Sequence, residues 1–258
     1  METHDISPAI AVENVGVRYS LRLHGPRTLR ERVTRPVRRR ASEFWAVRNA
    51  SFIVKPGESV GIIGANGAGK STLLQVMAGI LRPDEGRSVT RGRVSTLLTM
   101  GPGFDPDLSG RENIALAGAF MGIGRAQMRQ RMERIIAFAE LGQFIDAPLK
   151  TYSAGMRARL GFSIAASIEP EVLLLDEVLG AGDANFKAKS QARIRELVAG
   201  SGTVVMATHG LNWIEEFAER SLLMEKGQVI NFGPTAEIVR QYREMIRATK
   251  AASPSIWT

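Results

Sequence analysis

The sequence predicts an α/β fold, a mostly parallel β-sheet with helices on both faces. Three observations predict it. The apolar runs "SVGII", "EVLLLDE" and "GTVVMATH" are continuous rather than alternating, as strands buried on both sides are. Segments of helical periodicity separate the later runs, the pattern of strand–helix–strand units with parallel neighbours. A glycine-rich turn, Gly64 to Ser71, joins one of these strands directly to a helix.

In chain order, Ile10–Ser20 alternates and reads as a strand. A basic insertion, residues 21–44, then interrupts the pattern. Pro26 and Pro36 rule out one long helix there, although "RTLRERV" between them has room for a short one. Trp45–Val54 is a second strand, closed by a turn at "KPGE". "SVGIIGANGAGKSTLLQVMAGIL" reads as a buried strand, a loop and a helix, and "DEGRSVTRGRVSTLL" as turn, strand, turn and strand. From Gly110 to about Ile168 the signal is helical. In "RAQMRQRMERIIAFAEL" the apolar positions 128, 132, 135, 136 and 139 share one face of a basic helix. "ANFKAKSQARIRELVAG" and "LNWIEEFA" are helices, "RSLLMEKGQVINFG" is a hairpin turning at Lys226-Gly227, and "TAEIVRQYREMIRA" closes as a helix.

The 258 residues suffice for one large core with a subdomain. The chain has no cysteine, which excludes a disulfide framework and a thiolate metal site and suits a reducing compartment. The start, "METHDISPAIAVENV", lacks the basic-then-apolar pattern of a signal peptide. No apolar run approaches the ~18 residues needed to cross a bilayer. The formal charge is +8, and Leu21–Phe44 concentrates it, with eight Arg against Glu31 and Glu43. Such a segment attracts anionic lipid or nucleic acid, and a solvated loop is the plain alternative.

"GANGAGKS" fits the phosphate-loop pattern GxxxxGK[ST] in full, after an apolar strand and before a helix. Backbone N–H groups from Asn66 to Ser71 would converge on nucleotide phosphates at the helix N-terminus, with Gly64, Gly67, Ala68, Gly69 and Thr72 completing the wrap. Lys70 would sit near the β- and γ-phosphates, and the Ser71 hydroxyl would ligate Mg²⁺. Asp176 and Glu177 end the strand "VLLLDE", at the carboxyl rim where open parallel sheets bind ligands. Asp176 is expected to hold Mg²⁺ through its water shell, and Glu177 to orient or deprotonate the attacking water. His209 ends "TVVMATH" on the same rim, within reach of the γ-phosphate or Glu177. "TYSAGMRARLGFSIA" holds a second anion-binding composition, a Ser, a Gly and two Arg at the mouth of an apolar-striped helix.

The order "GANGAGKST", "YSAGM", "VLLLDE", "GAGD", "ATH" resembles the ATPase subunit of an ATP-binding cassette (ABC) transporter, over about residues 9 to 235. "YSAGM" stands in place of the signature LSGGQ, keeping Ser153 and Gly155 and differing at Tyr152, Ala154 and Met156. Asp183 stands where the family has its D-loop Asp. Met100 stands near the position of the Q-loop glutamine. "EFWAVRNASF", "GPGFDPDLSGRENIALAG", "TYSAGMRARLGFSIA" and "DEVLGAGDANFKAK" are similar to the subfamily that exports lipid-linked polysaccharide, O-antigen, capsule or teichoic acid, where Tyr-Ser-x-Gly-Met is the common signature form.

This resemblance implies a P-loop NTPase (RecA-like) fold, a mostly parallel sheet with an antiparallel β subdomain and an α-helical subdomain. It implies a nucleotide-binding domain over 1–240, with the basic insertion at 21–44 and the helical subdomain at about 100–168. A short helix and tail would follow at 241–258, without a carbohydrate-binding domain. ATP and Mg²⁺ are the implied cofactors. Tyr19 would stack on adenine, with Trp45 as the fallback. Ser153 and the backbone at Ala154 and Gly155 would contact the γ-phosphate bound to a facing twin subunit, and Asp183 is implied as a nucleotide-binding residue. The implied partners are that twin, two separate transmembrane permease subunits, a lipid-linked glycan and an anionic membrane surface. The implied place is the cytoplasmic face of the bacterial inner membrane. Two other readings stand beside this one. One is the ATPase of another importer or exporter of lipid or drugs. The other is a soluble cassette ATPase acting on nucleic acid, disfavoured by the single phosphate loop and the lack of a coiled-coil arm or zinc site.

Overall fold

The computed structural model describes residues 7–21, 42–96, 103–176, 183–208 and 210–252. Nine strands and seven α-helices form among them. The strands are β1 (Ile10–Leu21), β2 (Ser42–Val54), β3 (Ser59–Ile63), β4 (Glu85–Thr90), β5 (Val94–Thr96), β6 (Val172–Leu175), β7 (Thr203–Ala207), β8 (Arg220–Glu225) and β9 (Gln228–Pro234). The helices are α1 (Lys70–Met77), α2 (Gly110–Phe120), α3 (Arg125–Ala139), α4 (Ala154–Ala165), α5 (Ala184–Gly200), α6 (Leu211–Phe217) and α7 (Thr235–Ala252). The last helix therefore runs across residue 240.

The main sheet has the order β5-β6-β7-β3-β8-β9. Its first five strands are parallel, and β9 returns antiparallel to β8 through the Lys226-Gly227 turn. Side chains alternate faces along a strand, so a strand covered on both sides must be apolar throughout. In β6, Val172 and Leu174 enter one core and Leu173 and Leu175 the other. In β7, Val205 and Ala207 oppose Val204 and Met206 in the same way. This is the physical origin of the continuous apolar runs. The first core lies between the main sheet, α1 and a second, antiparallel sheet of order β2-β1-β4. The second core is closed by α5, α6 and α7.

The helical segment has its own core, built on Ile114, Met128, Ile135, Leu149, Tyr152 and Leu160. Ser109 starts α2 with a reciprocal cap: its hydroxyl accepts from the Glu112 N–H, and the Glu112 carboxylate accepts from the Ser109 N–H. Buried Asn113 donates to the carbonyls of Asp105, Leu108 and Ser109 and shapes the approach to that helix. Of the face expected on α3, Met128, Ile135 and Ala139 are buried and Met132 and Ile136 are partly so. A triangle of rings, Phe138 on α3, Phe162 on α4 and Phe186 on α5, joins this segment to the second core, with centroids 5.8–5.9 Å apart.

Candidate nucleotide site

Strands β6, β7 and β3 lie side by side and end together. Leu175 pairs with Met206, and Ile62 with Ala207. The residues that follow these strands therefore share one rim. Gly64 to Gly69 leave β3 there and turn into α1. Two of the glycines are set by close approach: a methyl group at Gly64 would run into the Met224 carbonyl, and one at Gly69 into that of Ala46. Gly67 (φ 77°) differs, since nothing within 4 Å would meet its added carbon. It faces the open side of the loop.

The start of α1 carries no acidic residue in its first turn and no side-chain cap. Its leading N–H groups and its positive dipole end are left for an external anion. Lys70 is only 7% exposed. Its Nζ donates to the carbonyls of Gly64 (2.8 Å) and Ala65 (3.0 Å). Burial holds its ammonium below the ordinary lysine range, and the Asp176 carboxylate opposes that shift. Asp176 is thus electrostatically in touch with the loop. Exposed Ser71 and partly buried Asp176 are hard oxygen donors, which fit Mg²⁺. No group of three or more His, Cys, Asp or Glu among the described residues could cage a metal ion.

A pocket of about 650 Å³ opens over the loop. Its walls bring Asn66, Gly67, Ala68, Gly69, Lys70, Ser71 and Thr72 together with Tyr19, Phe44, Trp45, Ala46 and Lys226. Tyr19 and Phe44 are cross-strand partners with centroids 5.8 Å apart, 39% and 45% exposed. The two half-exposed rings give the pocket a flat apolar wall beside the phosphate loop. Trp45 also lines the pocket, and its ring lies near Gly16 with the guanidiniums of Arg18 (5.6 Å) and Arg48 (5.1 Å) against it. Phe44 and Lys226 were missed in the sequence. The alternation of β2 offered a signal for Phe44, whereas Lys226 lies more than 150 residues from the loop.

Ser153, Gly155 and Asp183 do not line this pocket. Ser153 caps α4, its Oγ accepting from the Met156 N–H at 3.1 Å. Ser153 and Ala154 are exposed, and the first turn of α4 carries no acidic residue. Their neighbours face inward. Tyr152 is 3% exposed and donates its hydroxyl to the Phe144 carbonyl, and Met156 packs on the helical core. Asp183 caps α5, accepting from the Phe186 N–H at 3.0 Å, and pairs with Arg159 of α4 at 3.2 Å. The Phe186 amide, more than the Arg159 charge, holds its carboxyl below the ordinary range. Glu177 and His209 lie outside the described residues, as do Met100 and the Arg-rich stretch from Arg22 to Arg40.

Residues 47–180 match the family model described as "ABC transporter". The O-antigen export system ATP-binding protein RfbB of Klebsiella pneumoniae is 40% identical over 93% of this chain and 99% of its own length. The teichoic acids export ATP-binding protein TagH of Lactococcus lactis is 40% identical over 80% of this chain, which spans 44% of that protein. Among solved structures, a dimeric post-hydrolysis ATP-binding cassette bound to ADP and Pi has a TM-score of 0.65 at 22% identity, covering 88% of this chain and 98% of that one. With the phosphate loop, the two sheets and the helical segment in place, the chain belongs to the ABC transporter family, as an ATP-binding, ATP-hydrolysing subunit.

Proposed function

We propose that the chain powers export of a lipid-linked polysaccharide (O-antigen, capsule, cell-wall glycan or teichoic acid) across the bacterial inner membrane. It acts there as a peripheral homodimer on a separate permease. The carrying observation is the nearly end-to-end match with an O-antigen export ATPase, laid over an open phosphate loop. No helix among the described residues is long and apolar enough to cross a membrane.

In this reading adenine rests on Tyr19 and Phe44, and the amides from Asn66 to Ser71 take the phosphates. Lys70 leaves the Gly64 and Ala65 carbonyls for the β- and γ-phosphates. Ser71 and Asp176 would hold Mg²⁺, which offsets phosphate charge when bound. Glu177 accepts the proton of a water that attacks the γ-phosphorus. The bond to the bridging oxygen breaks, and ADP and phosphate leave. His209 donates to the γ-phosphate oxygens. Ser153, Gly155 and Asp183 serve the twin's nucleotide, since their own pocket lies elsewhere. Only the triphosphate spans the two subunits, so it favours the closed dimer and hydrolysis releases it.

Glu177→Gln tests the centre of this scheme. It is expected to keep ATP binding, slow turnover more than about tenfold and accumulate an ATP-bound dimer on gel filtration. Turnover at the parent rate would remove Glu177 from the role of base.

A further inference from the structure

Lys226 occupies a position that suits a lysine poorly. Glu225 pairs with Gln228 across a two-residue turn in which Lys226 and Gly227 have φ of 47° and 81°. Such a turn favours Asn, Asp or Gly at its first central position, because Cβ crowds the carbonyl oxygen in this left-handed region, a cost that Gly avoids and that the short polar side chains of Asn and Asp offset by local hydrogen bonds. The turn is also fastened to the phosphate loop. The Gly227 N–H donates to the Ala68 carbonyl at 3.1 Å, and the Gly227 carbonyl accepts from the Arg48 N–H at 2.8 Å. A methyl group on Gly227 would press on the Ala46 carbonyl at 2.9 Å, so the turn has no room to back away. Lys226 itself is exposed and lines the same pocket as the loop, Tyr19 and Phe44. It makes no ion pair with a described residue. A strained backbone that presents an exposed cation to a ligand pocket argues for a role in that pocket.

We propose that Lys226 is a nucleotide-binding residue whose ammonium contacts the α- and β-phosphates. Its turn touches Ala46 and Ala68, between the aromatic rim and the loop, which places the charge toward the base end. Lys70, at the start of α1, serves the far end. Lys226 therefore holds nucleoside diphosphate and triphosphate alike, and it supports binding rather than the hydrolytic step. This rests on the nucleotide occupying the pocket described above, and on nothing about Glu177 or the twin subunit.

The test is equilibrium binding of fluorescent ADP and ATP analogues to the full chain and to Lys226→Asn, with melting temperatures measured alongside. Asn suits the turn, so the variant keeps or raises its melting temperature, which separates a lost contact from a lost fold. Kd for both nucleotides is expected to rise by a common factor of roughly three to ten, with Lys226→Arg restoring most of it. Unchanged Kd in a folded Lys226→Asn overturns the proposal. A rise confined to ATP overturns the placement at the α- and β-phosphates. A folded parent chain that binds neither analogue overturns the nucleotide reading of the pocket itself.

Discussion

Tyr152 is a phenol where the family signature has leucine, and its neighbours explain why. The hydroxyl donates to the Phe144 carbonyl, and it lies so near Gly110 that a methyl group there would run into it. Tyr152 and Gly110 are therefore a matched pair at the root of the α4 cap. Removing the hydroxyl in Tyr152→Phe takes one of two donors from the Phe144 carbonyl, which keeps the Ala147 N–H, and costs about 1 kcal/mol, measurable by urea unfolding. Burial raises the Tyr152 pKa above its unfolded value. The stability linked to its neutral form is thus fully present below about pH 10 and is lost as pH rises through the folded pKa. Tyr152→Phe should lack that component of alkaline destabilisation. The motif marked the position as functional, and Ser153 beside it is exposed as a reader of anions would be. The inward bond of Tyr152 was not legible, because it goes to a backbone carbonyl placed by a 3₁₀ turn at Gly142–Asp146.

At the scale of elements, the Arg159 guanidinium ties α4 to α5. Arg159 is 18% exposed and bridges Glu140 (2.8 Å) and Asp183 (3.2 Å), while its Nε donates to the Ala139 carbonyl at the end of α3. It also lies over the Phe186 ring at 4.8 Å. Glu140 and Asp183 are more than half exposed, so solvent screens each pair and neither is worth much alone. Asp183 has a second task as the cap of α5. Asp183→Asn keeps the capping oxygen and loses only the charge, so its unfolding midpoint stays near that of the parent. Asp183→Ala loses the cap as well, and its midpoint falls below that of Asp183→Asn. Equal unfolding midpoints for the two variants would show that the cap contributes nothing. The helix itself was legible, since α5 spans the same residues, Ala184–Gly200, that periodicity assigned to it. The tie was not, because Arg159 and Asp183 are 24 residues apart and meet only after the core closes. Sheet order escaped for the same reason. Nothing local states that β3 lies between β7 and β8, whereas the apolar runs followed directly from burial on both faces.

For the molecule as a whole, the decisive fact is that the α1 and α4 starts, the two proposed phosphate-binding helix ends, do not share a pocket. The α1 start faces the cavity over the phosphate loop, and Ser153 at the α4 start is exposed outside it. If the second completes the first across a twin, each catalytic site takes its loop from one subunit and its Ser153 from the other. Lys70→Ala and Ser153→Ala can then be distributed in two ways in a mixed dimer purified with two different tags. With both changes in one subunit, its own loop is lost and the partner's loop faces a damaged Ser153, so turnover disappears. With one change in each subunit, both fall in a single site and the other remains intact, leaving up to about half of the parent turnover, less if the sites act together. If Ser153 served its own subunit, the outcomes would exchange: the doubly changed subunit would leave its partner active, and the divided arrangement would be dead. Two dimers of identical composition thus give opposite answers, and neither answer depends on how much each substitution destabilises the fold.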